Sequence, residues 1–379
     1  MNSVAAPVAE LTPSVNDKTM LQRVSEIASG PLAEAASRID REGYYPLDIM
    51  ARLAEVGAFG AHLDRRGADF GLALAATSEI ARSCGSTGFL AWCHNVCGLY
   101  MEQSANPALL ARLNDHVEGR SFGGTALSNP MKAMAGIEPM LLRAQRVPGG
   151  YRVSGSLPWV SHIAPGQYCG AIAAVERADR TRTHEIMFLL DLDERVELKH
   201  CPAFSGMEGT STWGIRLTDH FIGEDQLIAD PAGPFVNRVR AAFILLQVGM
   251  ATGLVQASLD AMNEVEPVLG HVNQFLHDRP DVLQAEFAEL NSRVAELVRT
   301  PYETDKDFML DVLDARVQGA ELALRATQSA LLHQGARGYL MSAGPQRRVR
   351  EAHFVAIVTP AIKHLRYQMN RLMQEAQPA

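Results

Sequence analysis

Few stretches of the 379-residue sequence concentrate side chains that could do chemistry. His94 stands inside the apolar run Phe89-Leu90-Ala91-Trp92-Cys93-His94-Asn95. An imidazole titrates near neutrality, so one there could hold a proton or pair with a substrate N–H. The competing reading is a core histidine satisfied by a backbone carbonyl. Cys93 and Cys97 are four apart and share a helical face. Without paired ligands nearby they read as buried apolar thiols, and no metal site is expected. Asp191-Leu192-Asp193-Glu194 reads as a charged turn. Arg347, Arg348 and Arg350 form a basic run suited to a solvated face, an ion pair between subunits or a phosphate contact. His333 reads as structural, and His353 as a surface or core residue.

The elements that hold these residues follow from hydrophobic period. From about Thr19 to Asp115 apolar residues recur at helical spacing: Leu21, Val24 and Ile27, then Leu47, Met50, Leu53 and Val56. Pro46 suits a first helical turn, and Gly57 and Gly60 punctuate the end. Residues 72–100 read as one or two buried helices. From about Gly119 to Asp230 the period changes. Residues 141–147, the turn Pro148-Gly149-Gly150 and Tyr151-Arg152-Val153 read as strand, turn, strand. Residues 186–190 form an apolar run of strand length, and Ile215 and Leu217 alternate with polar neighbours. From Pro234 onward four long segments carry three-four spacing, over 239–262, 282–298, 304–334 and 348–373. The connection 264–280 is weakest in pattern and reads as a loop. The expected fold class is α+β: an N-terminal helical domain over 1–117, a central β-barrel-like domain over 118–232 and a C-terminal four-helix bundle over 233–379.

Composition bounds the function. The chain is 47% apolar and 21% charged, which suits a large buried core and excludes disorder. A net charge of −8 argues against a nucleic-acid scaffold or a basic membrane binder. Five cysteines form no C-x-x-C pair, as expected of reduced thiols. The first twenty residues lack a basic stretch followed by an apolar block, and the apolar run 241–255 is broken by Gln247. A cytoplasmic protein is expected.

The α–β–α order resembles the acyl-CoA dehydrogenase superfamily, over nearly the whole chain. Five pieces carry the likeness in order: Tyr45-Pro46 to Leu63; Cys84-Gly85-Ser86-Thr87-Gly88; Ala126-Leu127-Ser128-Asn129-Pro130; residues 154–162 ending Trp159-Val160-Ser161-His162; and Gln334-Gly335-Ala336-Arg337-Gly338-Tyr339 with Arg350-Glu351-Ala352. The resemblance implies a flavin site. In it Trp159 packs on the ring, Ser161 bonds near N5, the backbone around Leu127 and Ser128 meets the pyrimidine edge, and Gly335 belongs to the cofactor set. A flat apolar ring with a polar edge wants such an aromatic wall and a few donors.

Two departures from the family pattern direct the functional reading. Removing the α-proton of an acyl thioester needs a carboxylate base. The two positions at which the family places one correspond here to Thr359-Pro360 and to about Phe243. The family's nucleotide-binding R-x-x-F-G is replaced by residues 265–272, and the glutamine before the late glycines is Leu332. The branch that dispenses with the base is the two-component flavin monooxygenases of dibenzothiophene, 4-hydroxyphenylacetate and indole. The glycine-threonine-rich residues 206–212 resemble a loop of that branch. The reading is therefore an oxygenase component that uses reduced flavin (FAD or FMN) and O₂ on a small aromatic or heteroaromatic substrate, an indole-like compound being one candidate. His94, Ser161 and His162 are the catalytic candidates. A separate NAD(P)H-flavin reductase and a homotetramer are the implied partners. The rivals are an FAD-dependent acyl-CoA dehydrogenase with a displaced base, and a non-catalytic member of the fold.

Overall fold

A computed structural model describes residues 15–374. Six helices open the chain. α1 (Val15–Ile27) runs through a wider turn, Ala28–Leu32, into α2 (Ala33–Glu42). α3 (Leu47–Glu55) follows, then α4 (Phe70–Ser83), α5 (Gly85–Gln103) and α6 (Pro107–Val117). Local chemistry sets the ends. The Asp69 carboxylate accepts the Leu72 N–H at 2.8 Å and the Asn106 amide oxygen accepts that of Ala108 at 3.0 Å, so both side chains cap orphan donors of a first turn. α5 has no polar face: every residue from Gly85 to Met101 is buried, which places this helix at the centre of the molecule.

The middle of the chain is one sheet. Its strands are β1 (Gly123–Thr125), β2 (Leu142–Val147), β3 (Gly150–Val160), β4 (Tyr168–Glu176), β5 (Arg182–Asp191), β6 (Glu197–His200), β7 (Trp213–Gly223) and β8 (Leu227–Ala229). The order is β6-β7-β3-β2-β4-β5-β8, with β1 alongside β4. Pairing is antiparallel except where β1 and β2 meet β4. The short helix α7 (Ser128–Met134) leaves the end of β1, where the sequence suggested only backbone. One face of the sheet builds its own apolar cluster from Leu142, Val153, Ile186, Phe188 and Ile215.

Six helices close the chain: α8 (Ala232–Leu246), α9 (Val248–Asn273), α10 (Pro280–Leu297), α11 (Lys306–Gln334), α12 (Gly344–Ile357) and α13 (Ile362–Gln374). The largest core cluster joins them to α4 and α5. Close approach of backbones explains one glycine: a Cβ on Gly253 of α9 would lie 2.4 Å from the Ser78 carbonyl of α4. Residues 232–273 are long and apolar enough to cross a bilayer, yet 94% of their most apolar window is buried inside the protein.

Three differences from the sequence reading have physical causes. The expected loop over 264–280 is mostly helix, since α9 continues through Pro267. Glu264, Glu266 and Pro267 are exposed, so water can satisfy the carbonyl that proline leaves unbonded. The segment 239–262 divides at Gln247, whose side chain is committed elsewhere. The segment 348–373 divides between α12 and α13 because Pro360 has no N–H and disfavours helical geometry at Thr359.

Candidate active site

The cleft is framed by two chain segments that touch. Thr125 at the end of β1 forms an antiparallel bridge to Ser161 just beyond β3. A Cβ on Gly124 would meet the Ser161 carbonyl at 2.5 Å, so only glycine lets the segments close. Ala126 and Ser128 on one segment and Leu157, Trp159 and Val160 on the other line a cleft that also takes in Asn129, Lys132 and Glu138. Trp159 is 60% exposed on its wall, with its backbone at φ +52°. An indole standing open in a strained backbone conformation marks a surface shaped to receive a flat partner. At the other edge, α7 begins at Leu127 with no side-chain cap, leaving the first-turn N–H groups of Ser128 and Asn129 without one. Aromatic wall and uncapped donors together fit the ring end of a flavin.

Ser161 is nearly buried and heads a chain of hydroxyls. Its Oγ lies 2.7 Å from Thr212 Oγ1, which lies 2.8 Å from Thr210 Oγ1. Thr210 donates to the Met207 carbonyl at 2.7 Å. A carbonyl can only accept, so the protons must point one way: Thr212 donates to Thr210, and Ser161 donates to Thr212. What Ser161 Oγ keeps for a ligand is lone pairs.

The two positions that the resemblance assigns to a base hold Phe243, in the core, and Thr359, which touches the cleft through Ser128. Phe243 on α8 is buried, edge-on to Trp92 at 5.2 Å and offset-stacked on Tyr100 at 6.4 Å. Phe89 stacks on Trp92 and meets Phe354 edge-on at 4.6 Å. This wall is apolar throughout, apart from a buried Trp92 Nε1 without a partner. Thr359 Oγ1 lies 2.9 Å from Ser128 Oγ. Its carbonyl accepts from Gln247 Nε2 at 2.9 Å, and Gln247 Oε1 accepts from Arg316 Nε at 2.8 Å. Arg316 also donates to the Val355 carbonyl and is fully buried without a carboxylate partner. Burial pushes its pKa down to about 10, so it stays a cation at neutral pH. This chain escaped the sequence reading. Its signal was Gln247, a lone amide in an apolar run.

Glu138 is the one carboxylate among the cleft-lining residues. It accepts from Lys132 Nζ at 2.9 Å and Asn129 Nδ2 at 2.8 Å. Burial raises its pKa, but these two donors outweigh that and hold it below the usual carboxylate value. A base so held is weak.

The structure brings His94 and His162 together, though neither lines the Trp159 cleft. His94 Nε2 meets the His116 carbonyl at 2.9 Å, and His116 Nε2 meets the His94 carbonyl at 2.9 Å. His94 Nδ1 accepts weakly from the Gly123 N–H at 3.4 Å. With both nitrogens used by backbone, His94 follows the core-histidine reading. The two rings stack at 3.7 Å, and His162 stands edge-on to His94 at 5.7 Å. His162 Nδ1 meets the Tyr45 hydroxyl at 2.9 Å, while its Nε2 is buried without a partner. His62 completes the group through the Asn95 carbonyl. Burial lowers all four, His62 and His94 to about 4, so each ring is neutral at pH 7. His62 and His116 were not singled out from sequence; nothing in their local stretches marks them. Gly335 follows α11 in a turn that packs on α11 and α12, apart from the cleft of its own chain. Among the described residues no cluster could hold a metal ion.

Residues 15–113 match the family model "Acyl-CoA dehydrogenase, N-terminal domain". The probable acyl-CoA dehydrogenase YngJ of Bacillus subtilis is 21% identical over 360 residues, covering 89% of this chain and 92% of that protein. Butyryl-CoA dehydrogenase of Megasphaera elsdenii superposes with a TM-score of 0.83 at 15% identity, over 96% of this chain and 100% of the other. Dibenzothiophene monooxygenase (TdsC) of Paenibacillus sp. A11-2 superposes at 0.78 with 17% identity, over 95% and 98%. That enzyme has also been solved in a complex with FMN and indole.

Proposed function

We propose that this chain, an acyl-CoA dehydrogenase-like flavoprotein of the acyl-CoA dehydrogenase superfamily, is the oxygenase component of a flavin-dependent monooxygenase acting on a small aromatic or heteroaromatic compound. The observation that carries the reading is the pair Phe243 and Thr359. Neither can take an α-proton, and the residues around Phe243 are aromatic. Reduced flavin, when bound, supplies the two electrons with which O₂ delivers one oxygen atom to the substrate and the other to water. The chain's own residues bind, orient and exclude water. Trp159 forms the wall for the ring. The Ser128 and Asn129 N–H groups meet its polar edge. Ser161 Oγ, left as an acceptor by the hydroxyl chain, matches a ring nitrogen that carries hydrogen, as it does in the reduced cofactor. Phe89, Trp92 and Phe243 are buried together, so the position of Phe243 is dry and aromatic. His162 Nε2, buried and unpartnered, is the imidazole nitrogen that remains free near Ser161. His94 acts as a positioning residue that locks α5 to α6.

The remaining parts follow from the surface and the thiols. Val268 and Phe275 around the end of α9, and Tyr339, Leu340 and Met341 beyond α11, are exposed apolar side chains. They suit the interface of a homotetramer in which Gly335 serves a neighbour's cofactor. All five cysteines are free, as suits a reducing cytoplasm. A separate reductase would supply the flavin.

The test supplies flavin, an NADH-dependent flavin reductase, ¹⁸O₂ and indole, and looks for one labelled oxygen in the product. Hydrogen peroxide as the sole product from indole and from dibenzothiophene alike would refute the proposal. Glu138 supports a second reading, the dehydrogenase with a displaced base, because it lines the same cleft. That reading requires an acyl-CoA to bleach bound FAD without oxygen, and Glu138→Gln to abolish the bleaching.

A further inference from the structure

A second cavity, of about 540 Å³, lies between the N-terminal helices and the closing bundle. Ser25 and Ser29 line it from α1 and the turn after it, Arg82 from the end of α4, Asp260 from α9, and Arg347 and Arg348 from the first turns of α12. The first two arginines have partners. Arg82 Nε donates to Asp260 at 2.7 Å. Arg347 donates to the Ser83 carbonyl at 2.6 Å and lies 3.2 Å from Glu351.

Arg348 has none. Its Nε is buried without an acceptor, and its two terminal nitrogens fold back over Gly344, where a Cβ would meet them at 3.2 and 3.3 Å. Gly344 is the first residue of α12, a 14-residue helix with no side-chain cap and no acidic residue in its first turn. The guanidinium therefore lies at the positive end of a helix dipole, beside the second cation Arg347. Burial, and then Arg347, push its pKa down to about 10. Glu351 and Asp260 offset this in part, but neither accepts a hydrogen bond from the guanidinium, whose Nε stays without an acceptor until a further anion joins it. The carboxylates nearby face other cations: Asp260 accepts from Arg82 and from Gln256 at 3.0 Å, Glu79 lies 3.8 Å from Arg82, and Glu351 lies 3.2 Å from Arg347.

We propose that this cavity binds a small phosphorylated metabolite, its phosphate held between the Arg348 guanidinium and the Gly344 amide at the start of α12. Guanidinium and helix N-terminus together match the planar, multiply accepting phosphate group. The cavity volume suits a mononucleotide-sized molecule, with the serine side available to its hydroxyl groups. The site is distinct from the Trp159 cleft and shares no lining residue with it.

The probes are inorganic phosphate and AMP, titrated by calorimetry at ionic strength matched with chloride. AMP binds with a Kd of about 1 mM or below, and Arg348→Gln weakens it by at least about tenfold. Arg348→Gln removes an unpaired charge, so its melting temperature holds or rises and loss of fold does not cloud the result. Gly344→Asp places a carboxylate against the guanidinium. It should raise the melting temperature and abolish AMP binding. Saturating FAD should leave AMP binding unchanged. The proposal falls if phosphate and AMP give no heat beyond chloride, if Arg348→Gln binds AMP as the parent does, or if FAD displaces AMP. It falls equally if Arg348→Gln dissociates the oligomer without changing AMP binding, since the cavity is then an interface.

Discussion

Acid should unfold this protein earlier than its carboxylates would. His62, His94, His116 and His162 are buried in one group and neutral, and their hydrogen bonds run to carbonyls and hydroxyls. An imidazole in the unfolded chain titrates near 6.5, while burial holds His62 and His94 to about 4. A base depressed in this way costs nothing above its unfolded pKa. Its penalty accumulates as pH falls towards the folded pKa, because only the unfolded chain takes up the proton. Between about pH 6.5 and about pH 5 each such imidazole removes about 1.6 kcal/mol of stability. Two make about 3 kcal/mol of the typical 5–15, and burial of His116 and His162 adds to the loss in the same direction. Most carboxylates remain ionised across this window and cannot mimic the effect. The assay is urea denaturation followed by circular dichroism at intervals across it. His116→Phe keeps the ring stacked on His94 while removing one titrating site and the bond to Tyr168. It should be less stable at neutral pH, with a shallower slope against pH, by at most the about 1.4 kcal/mol per unit that one proton can contribute. A flat profile between these pH values, or an unchanged slope in the variant, refutes the claim that the four rings are neutral in the fold.

Other perturbations read the cleft and its supports. Trp159→Gly removes an exposed side chain at positive φ, so stability should stay within about 1 kcal/mol or rise, while flavin affinity by fluorescence titration falls at least about tenfold; unchanged affinity would remove Trp159 from the site. Thr212→Val frees the Ser161 proton to point outward. The preference for reduced over oxidised flavin should drop about fivefold, seen as a more negative potential of the bound cofactor, and an unmoved potential would break the acceptor argument. Asp40→Asn weakens the two-pronged contact to Arg350, at 2.7 and 2.6 Å, that ties α2 to α12. With Asp40 buried, the expected loss is about 3–5 kcal/mol by thermal unfolding, and a loss below about 1 kcal/mol would show the contact to be idle.

The fold was legible where period alone decides it. Leu21, Val24 and Ile27, the Pro148-Gly149-Gly150 turn and the three-four spacing of the last third each found their element. What period could not give is where a helix stops for a tertiary reason. Gln247 divides α8 from α9 while its amide is held by Arg316 on α11 and by Thr359 beyond α12. Those partners are separated from it by 69 and 112 residues, beyond any local window. The continuation of α9 through Pro267 is the converse case. Proline costs a helix most where the freed carbonyl is buried, and here it is wet, so a breaker in the sequence broke nothing.

Around the cleft, the residues expected from short stretches fall on two neighbouring segments, whereas what depends on distant partners was not legible. Leu127, Ser128, Trp159 and Ser161 arrive on two segments that the Thr125–Ser161 bridge brings side by side. His94 could not be assigned from its neighbours, since an imidazole in an apolar helix is reactive or inert according to what its nitrogens meet. The deciding acceptor is a carbonyl 22 residues away, and it is reciprocated: each of His94 and His116 holds the other's backbone. Such a pair fixes two helices, and opening either ring to a ligand would leave a buried carbonyl unpaired, at a cost of about 1–3 kcal/mol. Ser161 is the opposite case. Its hydroxyl spends its proton inside the protein and keeps its lone pairs, so it offers an acceptor, while the carboxylate of the cleft, Glu138, is held by Lys132 and Asn129. A site of that polarity supports the oxygen-transfer reading proposed above over proton abstraction from carbon.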